Sequence, residues 1–123
     1  MDDLKNIIKN LDWNMPKELQ VEAKQILIEN DDWDIESWHH NTRVCQLQNL
    51  VDIISAKQYS QQICAVSGLL KLLQDINWPG ALKAEELLKM FKKKDILLLL
   101  EDALFEAYKT DDSEWVTWLK PLI

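Results

Sequence analysis

The sequence predicts an all-α protein of about seven helices, with room for a short eighth, in a single layered domain over residues 1–123. Three observations favour this fold class. Glycine and proline are scarce, at two and three residues, whereas a β-protein needs many turns built from such residues. Apolar residues recur with helical spacing along most of the chain. The length suits one domain with its own core.

Two helices are predicted in the first half, after the N-terminal segment. One follows Pro16, because proline suits a first helical turn, where its missing N–H needs no partner. The other spans residues 37–54 and places His40 on an apolar stripe with Val44. Neighbouring residues of a helix point about 100° apart. His39 is therefore expected to be exposed on this helix, and His40 to lie at the core.

Four further helical patterns fill the second half, at residues 60–75, 77–91, 94–109 and 111–123. Gly68 costs its helix about 1 kcal/mol relative to alanine, which predicts a close helix crossing there. The run Lys92–Lys94 is interpreted as the end of a helix, where cations complement the C-terminal dipole. Several apolar stripes are wider than one face, which favours stacked helices.

The net charge of −7 disfavours nucleic acid and anionic membranes as main partners, because both require a positive field. It is compatible with a basic protein partner. The chain begins with acids where a signal peptide has bases, and its longest apolar run, residues 96–100, is far too short to cross a bilayer. These features predict a cytoplasmic, reduced protein.

No catalytic, cofactor-binding or metal-ligating residue is predicted. His39 and His40 are adjacent, whereas two metal ligands on one helix need a spacing of three or four residues. Cys45 is poorly placed on the same helix to pair with either histidine. Cys64 is expected to be buried in a helix interior. Two glycines in separate segments cannot form a phosphate-binding loop.

Two clusters of acids and aromatic residues remain as candidate partner-binding surfaces. They are Asp31, Asp32, Trp33, Asp34 and Glu36, and Asp111, Asp112 and Glu114. One interpretation is helix capping, by Asp32 or Asp34 and by an Asp111–Glu114 capping box. Both clusters hold more acids than capping needs, which favours contact with a basic partner. Trp33 is the best candidate for an exposed contact residue.

Two segments echo each other: "LDWNMPKELQVEAKQIL" and "INWPGALKAEELL" share a Trp, a nearby Asn, a following Pro and an Ala-to-Leu spacing. Divergence of this degree is typical of HEAT-like repeats. Trp13 and Trp78 stand at the start of these units and are expected to wedge between them. The pattern predicts a HEAT-like α-solenoid near the minimum number of repeats.

Together with the ending "DDSEWVTWLK", these segments resemble a family of small bacterial HEAT-like proteins. The resemblance covers most of the chain, and "D-x-NWPGA" is its most specific part. Members of the group occur among immunity proteins of toxin systems, including contact-dependent growth inhibition. The resemblance therefore implies a non-catalytic cytoplasmic protein that binds a toxin domain, here a basic nuclease, and blocks it by occlusion.

Two alternatives stay open beside the immunity hypothesis. One is a general helical-repeat adaptor or scaffold that binds a helical peptide. The other is a small hydrolase or metal-dependent enzyme that uses His39 and His40. The sequence does not predict an oligomeric state.

Overall fold

The computed structural model describes residues 2–40 and 42–123, without the side chains of residues 2–4 and 37. The α-helices of this part are α1 (Asp2–Lys9), α2 (Lys17–Glu29), α3 (Val44–Ser55), α4 (Tyr59–Cys64), α5 (Val66–Leu72), α6 (Ala81–Met90), α7 (Lys93–Lys109) and α8 (Ser113–Leu119). Two 3-10 turns, Ile35–Ser37 and Lys120–Leu122, accompany them. The described residues hold no strand, so the all-α prediction is confirmed. None of the described helices has the length and apolar character that a membrane span requires.

Most helices that follow each other in sequence pack together, among them α1 on α2, α2 on α3, α5 on α6, and α7 on α8. In addition, α3 contacts α6, and α5 contacts α7. The central helices α3 and α5 bury most of their residues, including Val51, Ile54 and Leu69. A helix with neighbours on several sides needs apolar residues around more than one face, which explains the wide stripes in the sequence.

Two buried amides connect the first helix to α3. Gln46 donates from Nε2 to the carbonyl oxygen of Ile8 at 3.1 Å, and Asn49 donates from Nδ2 to that of Leu11 at 2.6 Å. Asn49 also donates to Oε1 of Gln20 at 2.9 Å. Carbonyls at the end of a helix lack partners within it. These side chains therefore satisfy the end of α1 while fixing its position on α3.

The helix predicted over residues 60–75 is split into α4 and α5 at Ala65. The Ala65 carbonyl keeps its helical bond to the Leu69 N–H at 3.2 Å and also accepts the buried indole N–H of Trp38 at 3.1 Å. Cys64, expected to be buried, is exposed at the end of α4. Gly68 does mark a close approach, but its neighbours are Trp38 and His39 on an irregular segment, not another helix.

The lysine run also has a different place from the one predicted. Residue Lys92 is the N-cap of α7, and the next two lysines form its first turn, whereas the preceding helix already ends at Met90. The predicted wedging of Trp13 and Trp78 is likewise wrong, since these side chains are 51% and 36% exposed. Trp38 and Trp115 are the buried tryptophans instead.

Candidate functional site

The first acidic cluster lies on the connection between α2 and α3. We call residues 31–36 the acidic segment. Its four carboxylate residues, Asp31, Asp32, Asp34 and Glu36, are all exposed. Trp33 is half-buried and packs against the hydrophobic core, so it is less exposed than predicted. The structure therefore places the predicted residues together, as a row of carboxylates beside one aromatic ring.

The N-terminal end of the acidic segment is held by a buried lysine. Lys57 is only 8% exposed, and its ammonium donates to the carbonyl oxygens of Ile28 at 2.8 Å and Asn30 at 2.9 Å. Next to it, the Asn30 side chain accepts the backbone N–H of Asp32 at 2.8 Å. Gln61 donates to Oδ1 of Asp31 at 3.2 Å. Hydrogen bonds from a charged donor are the stronger kind, so this end is firmly attached to the fold.

The C-terminal end is held by Trp38. Its side chain is 3% exposed and donates from Nε1 to the Ala65 carbonyl. The absent side chain of Gly68 makes room for the ring, because an added Cβ would lie 2.5 Å from Nε1 of Trp38. The acidic segment is thus fixed at both ends by buried groups, which keeps its carboxylates in a set arrangement.

The predicted helix over residues 37–54 begins only at Val44, and this changes the positions of both histidines. His40 is exposed and His39 is half-buried, the reverse of the prediction. Their rings lie 4.3 Å apart between centroids. The Nδ1 atom of His39 is buried with no hydrogen-bond partner in the described structure. Burial, and then the nearby charges of His40 and Lys71, lower the pKa of His39 below its ordinary value.

A groove of about 820 Å³ runs beside the acidic segment. Its walls come from α1, from the residues around the acidic segment and from the start of α3: Lys5, Ile8, Lys9, Asp12, Met15, Asp32, Trp33, Asp34, Trp38, His40, Thr42, Arg43, Gln46 and Leu50. The groove carries the acids Asp12, Asp32 and Asp34 and the bases Lys5, Lys9 and Arg43. These basic residues were not predicted from the sequence, although Lys5 and Lys9 have the spacing that places two side chains on one helix face.

Two side chains in or beside the groove, Arg43 and Cys45, interact with Asp12. Arg43 forms an ion pair with Asp12 at 3.9 Å. Burial and the adjacent Asp12 carboxylate raise the pKa of the Cys45 thiol. A thiol with a raised pKa is a weak nucleophile. Within residues 2–40 and 42–123, no group of three or more His, Cys, Asp or Glu side chains is placed to hold a metal ion.

The second acidic cluster lies at the junction of α7 and α8. Asp112 is the N-cap of α8, and its Oδ1 accepts the backbone N–H of Trp115 at 3.1 Å. The predicted Asp111–Glu114 capping box is therefore wrong. Asp111 instead adopts a left-handed conformation, with φ of 56°, which Asp tolerates better than most residues. Asp111 and Asp112 border a separate depression of about 350 Å³, so the two acidic clusters do not share a groove.

Comparison with protein-family models, with curated proteins and with solved structures found no match to this chain.

Proposed function

We propose that this protein is a non-catalytic binding protein that captures a basic protein partner with its acidic segment. The observation that carries the proposal is the fixed row of exposed carboxylates. Asp31, Asp32 and Glu36 form no ion pair with any part of the chain that the structure describes. Their charge is available to a partner, while Lys57 and Trp38 hold the backbone that carries them. A prearranged surface loses less conformational freedom on binding.

The sequence resemblance extends the proposal to a specific role. The chain is then an immunity protein, acting in the cytoplasm, whose short HEAT-like stack of helices blocks a bacterial toxin domain, such as a basic nuclease, by occlusion. The acidic field of the protein steers the toxin in, and the acidic segment covers basic residues that the toxin needs for its own substrate. The packing of successive helices on one another supports the proposed stack.

The test is protection in cells. The toxin to use is the C-terminal domain of a large secreted effector encoded upstream of this chain. It is expressed with and without this protein. Survival only in the presence of this protein is the expected result. Death in both cases contradicts the immunity role.

A charge-reversal variant then tests the surface itself. Asp31→Lys, Asp32→Lys and Glu36→Lys together are expected to abolish protection and weaken binding by at least tenfold. The matched control is Glu18→Lys, Glu22→Lys and Glu86→Lys, which changes the net charge equally at exposed positions outside the acidic segment. Wild-type affinity in the first variant would exclude the acidic segment as the contact surface.

A second candidate function is an adaptor that holds a peptide in the groove, and the size and apolar floor of the groove favour it. The same measurements separate the two functions. An adaptor would lose its ligand when the groove is narrowed by Met15→Trp, at a half-buried position of its wall, and it would not protect cells against the toxin domain.

A further inference from the structure

The outward face of α7 is apolar and uncovered. Leu97, Leu98, Phe105 and Tyr108 are 40%, 76%, 71% and 55% exposed. With 3.6 residues per turn, these four side chains fall within an arc of roughly 100° around the helix. The opposite side of α7 is the one that packs into the core, through residues such as Leu100 and Ala107. We call the four exposed residues the α7 stripe.

Such a stripe is unusual for a helix that already buries another face. Single exposed apolar residues are common, but a contiguous patch of large ones marks an interaction surface. The wide apolar stripes of the sequence predict packing within the fold on more than one helix face. In the structure, Leu98 and Phe105 are exposed, so this face of α7 is open to a second molecule.

Charges within the stripe indicate what that molecule is. Lys94 and Glu101 are exposed, lie inside the same arc, and are seven residues apart, one heptad along the helix. Neither makes an ion pair or side-chain hydrogen bond within the described part of the chain. Lys94 and Glu101 cannot form an ion pair with each other within one molecule, because residues seven apart are about 10 Å distant along the helix axis. The stripe therefore offers one positive and one negative group to a second molecule.

The order of the two charges within the arc fits an antiparallel partner. Lys94 lies in the first turn of α7, and Glu101 follows in its middle. The first-turn acid Asp95 and the last-turn base Lys109 suit the helix dipole and lie outside the arc. An antiparallel second copy brings Lys94 of each helix against Glu101 of the other.

We propose that the α7 stripe is a self-association surface, on which two copies of this chain pack their α7 helices antiparallel about a two-fold axis. Leu97 and Leu98 lie at the axis, and Lys94 of each copy pairs with Glu101 of the other. In this register Phe105 and Tyr108 lie beyond the α7–α7 contact, because their counterparts would fall before Lys93, where α7 of the other copy begins. A two-fold interface requires one self-complementary patch, and a stripe with both charges meets that requirement. The negative net charge opposes association only weakly, because salt screens it beyond about 8 Å at physiological ionic strength.

The proposed Lys94–Glu101 pairing predicts which variants lose the dimer in solution and which combination of variants recovers it. Sedimentation of the wild-type protein should show a mass rising with concentration towards twice the 14.5 kDa of the chain. Lys94→Glu alone places two acids opposite each other, and Glu101→Lys alone places two lysines opposite each other. Each variant by itself should remain at the monomer mass. An equimolar mixture of the two should recover the dimer, since both pairs are then of opposite charge.

The double variant Lys94→Glu, Glu101→Lys should also dimerise, because it exchanges both partners of each pair. Both positions are exposed, so unchanged thermal unfolding of each variant serves as the folding control. A wild-type protein that stays monomeric at its highest soluble concentration overturns the proposal. Dimers in either single variant at wild-type strength, or a mixture that stays monomeric, overturn the antiparallel pairing.

Discussion

At the scale of single residues, Gly68 helps to position the acidic segment, because its lack of a Cβ atom makes room for the Trp38 ring. A Cβ at this position would lie 2.5 Å from Nε1 of Trp38 and 2.7 Å from Nδ1 of His39. Trp38 is buried and cannot move aside without breaking its bond to Ala65. Alanine would improve helix propensity by about 1 kcal/mol, but overpacking costs about 1–3 kcal/mol.

We therefore expect Gly68→Ala to lower the free energy of unfolding by up to about 2 kcal/mol, the difference between those two effects. Urea denaturation followed by tryptophan fluorescence measures it. Ser67→Ala on the same helix is the control and should stay within about 0.5 kcal/mol of the wild type. A Gly68→Ala variant more stable than the wild type would show that Trp38 can shift at little cost.

His39 gives the molecule a dependence on pH. Its pKa is lowered in the folded state, first by burial and then by the charges of His40 and Lys71. The unfolded chain therefore takes up the proton at a higher pH than the folded one, and the free energy of unfolding falls as pH drops below the ordinary histidine pKa of about 6.5. This loss continues down to the lowered pKa of the folded state.

His39→Gln should flatten this part of the stability profile, measured by urea denaturation at several pH values between about 7.5 and 5, around the ordinary histidine pKa. His40→Gln should keep most of the slope, because burial of His39, the largest cause, is unchanged. Equal slopes in the wild type and His39→Gln would mean that His39 titrates alike in the folded and unfolded chains.

At the scale of elements, the end of α2 depends on a residue far away in sequence. Lys57 donates to the Ile28 and Asn30 carbonyls from a buried position. Lys57→Met keeps the length of the side chain and removes its charge-assisted hydrogen bonds. We expect a loss of about 2–3 kcal/mol in the free energy of unfolding, and faster hydrogen exchange at the amides of residues 30–36.

Lys17→Met is the matched control, since Lys17 is an exposed lysine of the same α2 helix. It should change stability by less than about 0.5 kcal/mol. If Lys57→Met leaves the exchange of the acidic segment unchanged, then the segment is held by Trp38 and Asn30 alone.

The helices of this protein were predictable from the sequence, but several of their boundaries were not. Helical class and most helix positions follow from apolar periodicity, as in α6 and α7. Boundaries failed where the local pattern does not mark the break. The long helix over residues 60–75 breaks at Ala65, within a stretch whose apolar spacing continues without interruption. The lysines of α7 were assigned to a helix end by the dipole rule, whereas α6 already ends at Met90 and the lysines stand at the start of α7.

The exposure of the carboxylates in the acidic segment agrees with the sequence, but the residues that support the segment were not predicted. Asp31, Asp32 and Glu36 are exposed at one helix junction, as their density in the sequence predicted. Lys57 and Gly68, which fix that junction, are separated from it by dozens of residues, and the sequence gives no spacing rule for such contacts. The exposures of His39 and His40 are the reverse of the prediction because the helix on which they were predicted starts only at Val44.

At the scale of the whole molecule, the net charge of −7 and the local acidic segment should affect binding to a basic partner in different ways. The overall field accelerates encounter and is screened by salt. Direct contacts act after encounter and govern the rate of dissociation. We therefore expect the association rate to fall as salt rises, with little change in the dissociation rate.

The two charge-reversed variants separate these contributions. Reversal of Glu18, Glu22 and Glu86 weakens the overall field, so it should slow association and leave dissociation near the wild-type rate. Reversal of Asp31, Asp32 and Glu36 weakens the field equally and also removes contacts, so it should slow association and speed dissociation. Stopped-flow or surface-based kinetics with the proposed toxin partner measures both rates. Equal dissociation rates in the two variants would mean that the acidic segment only steers the partner and that another face holds it.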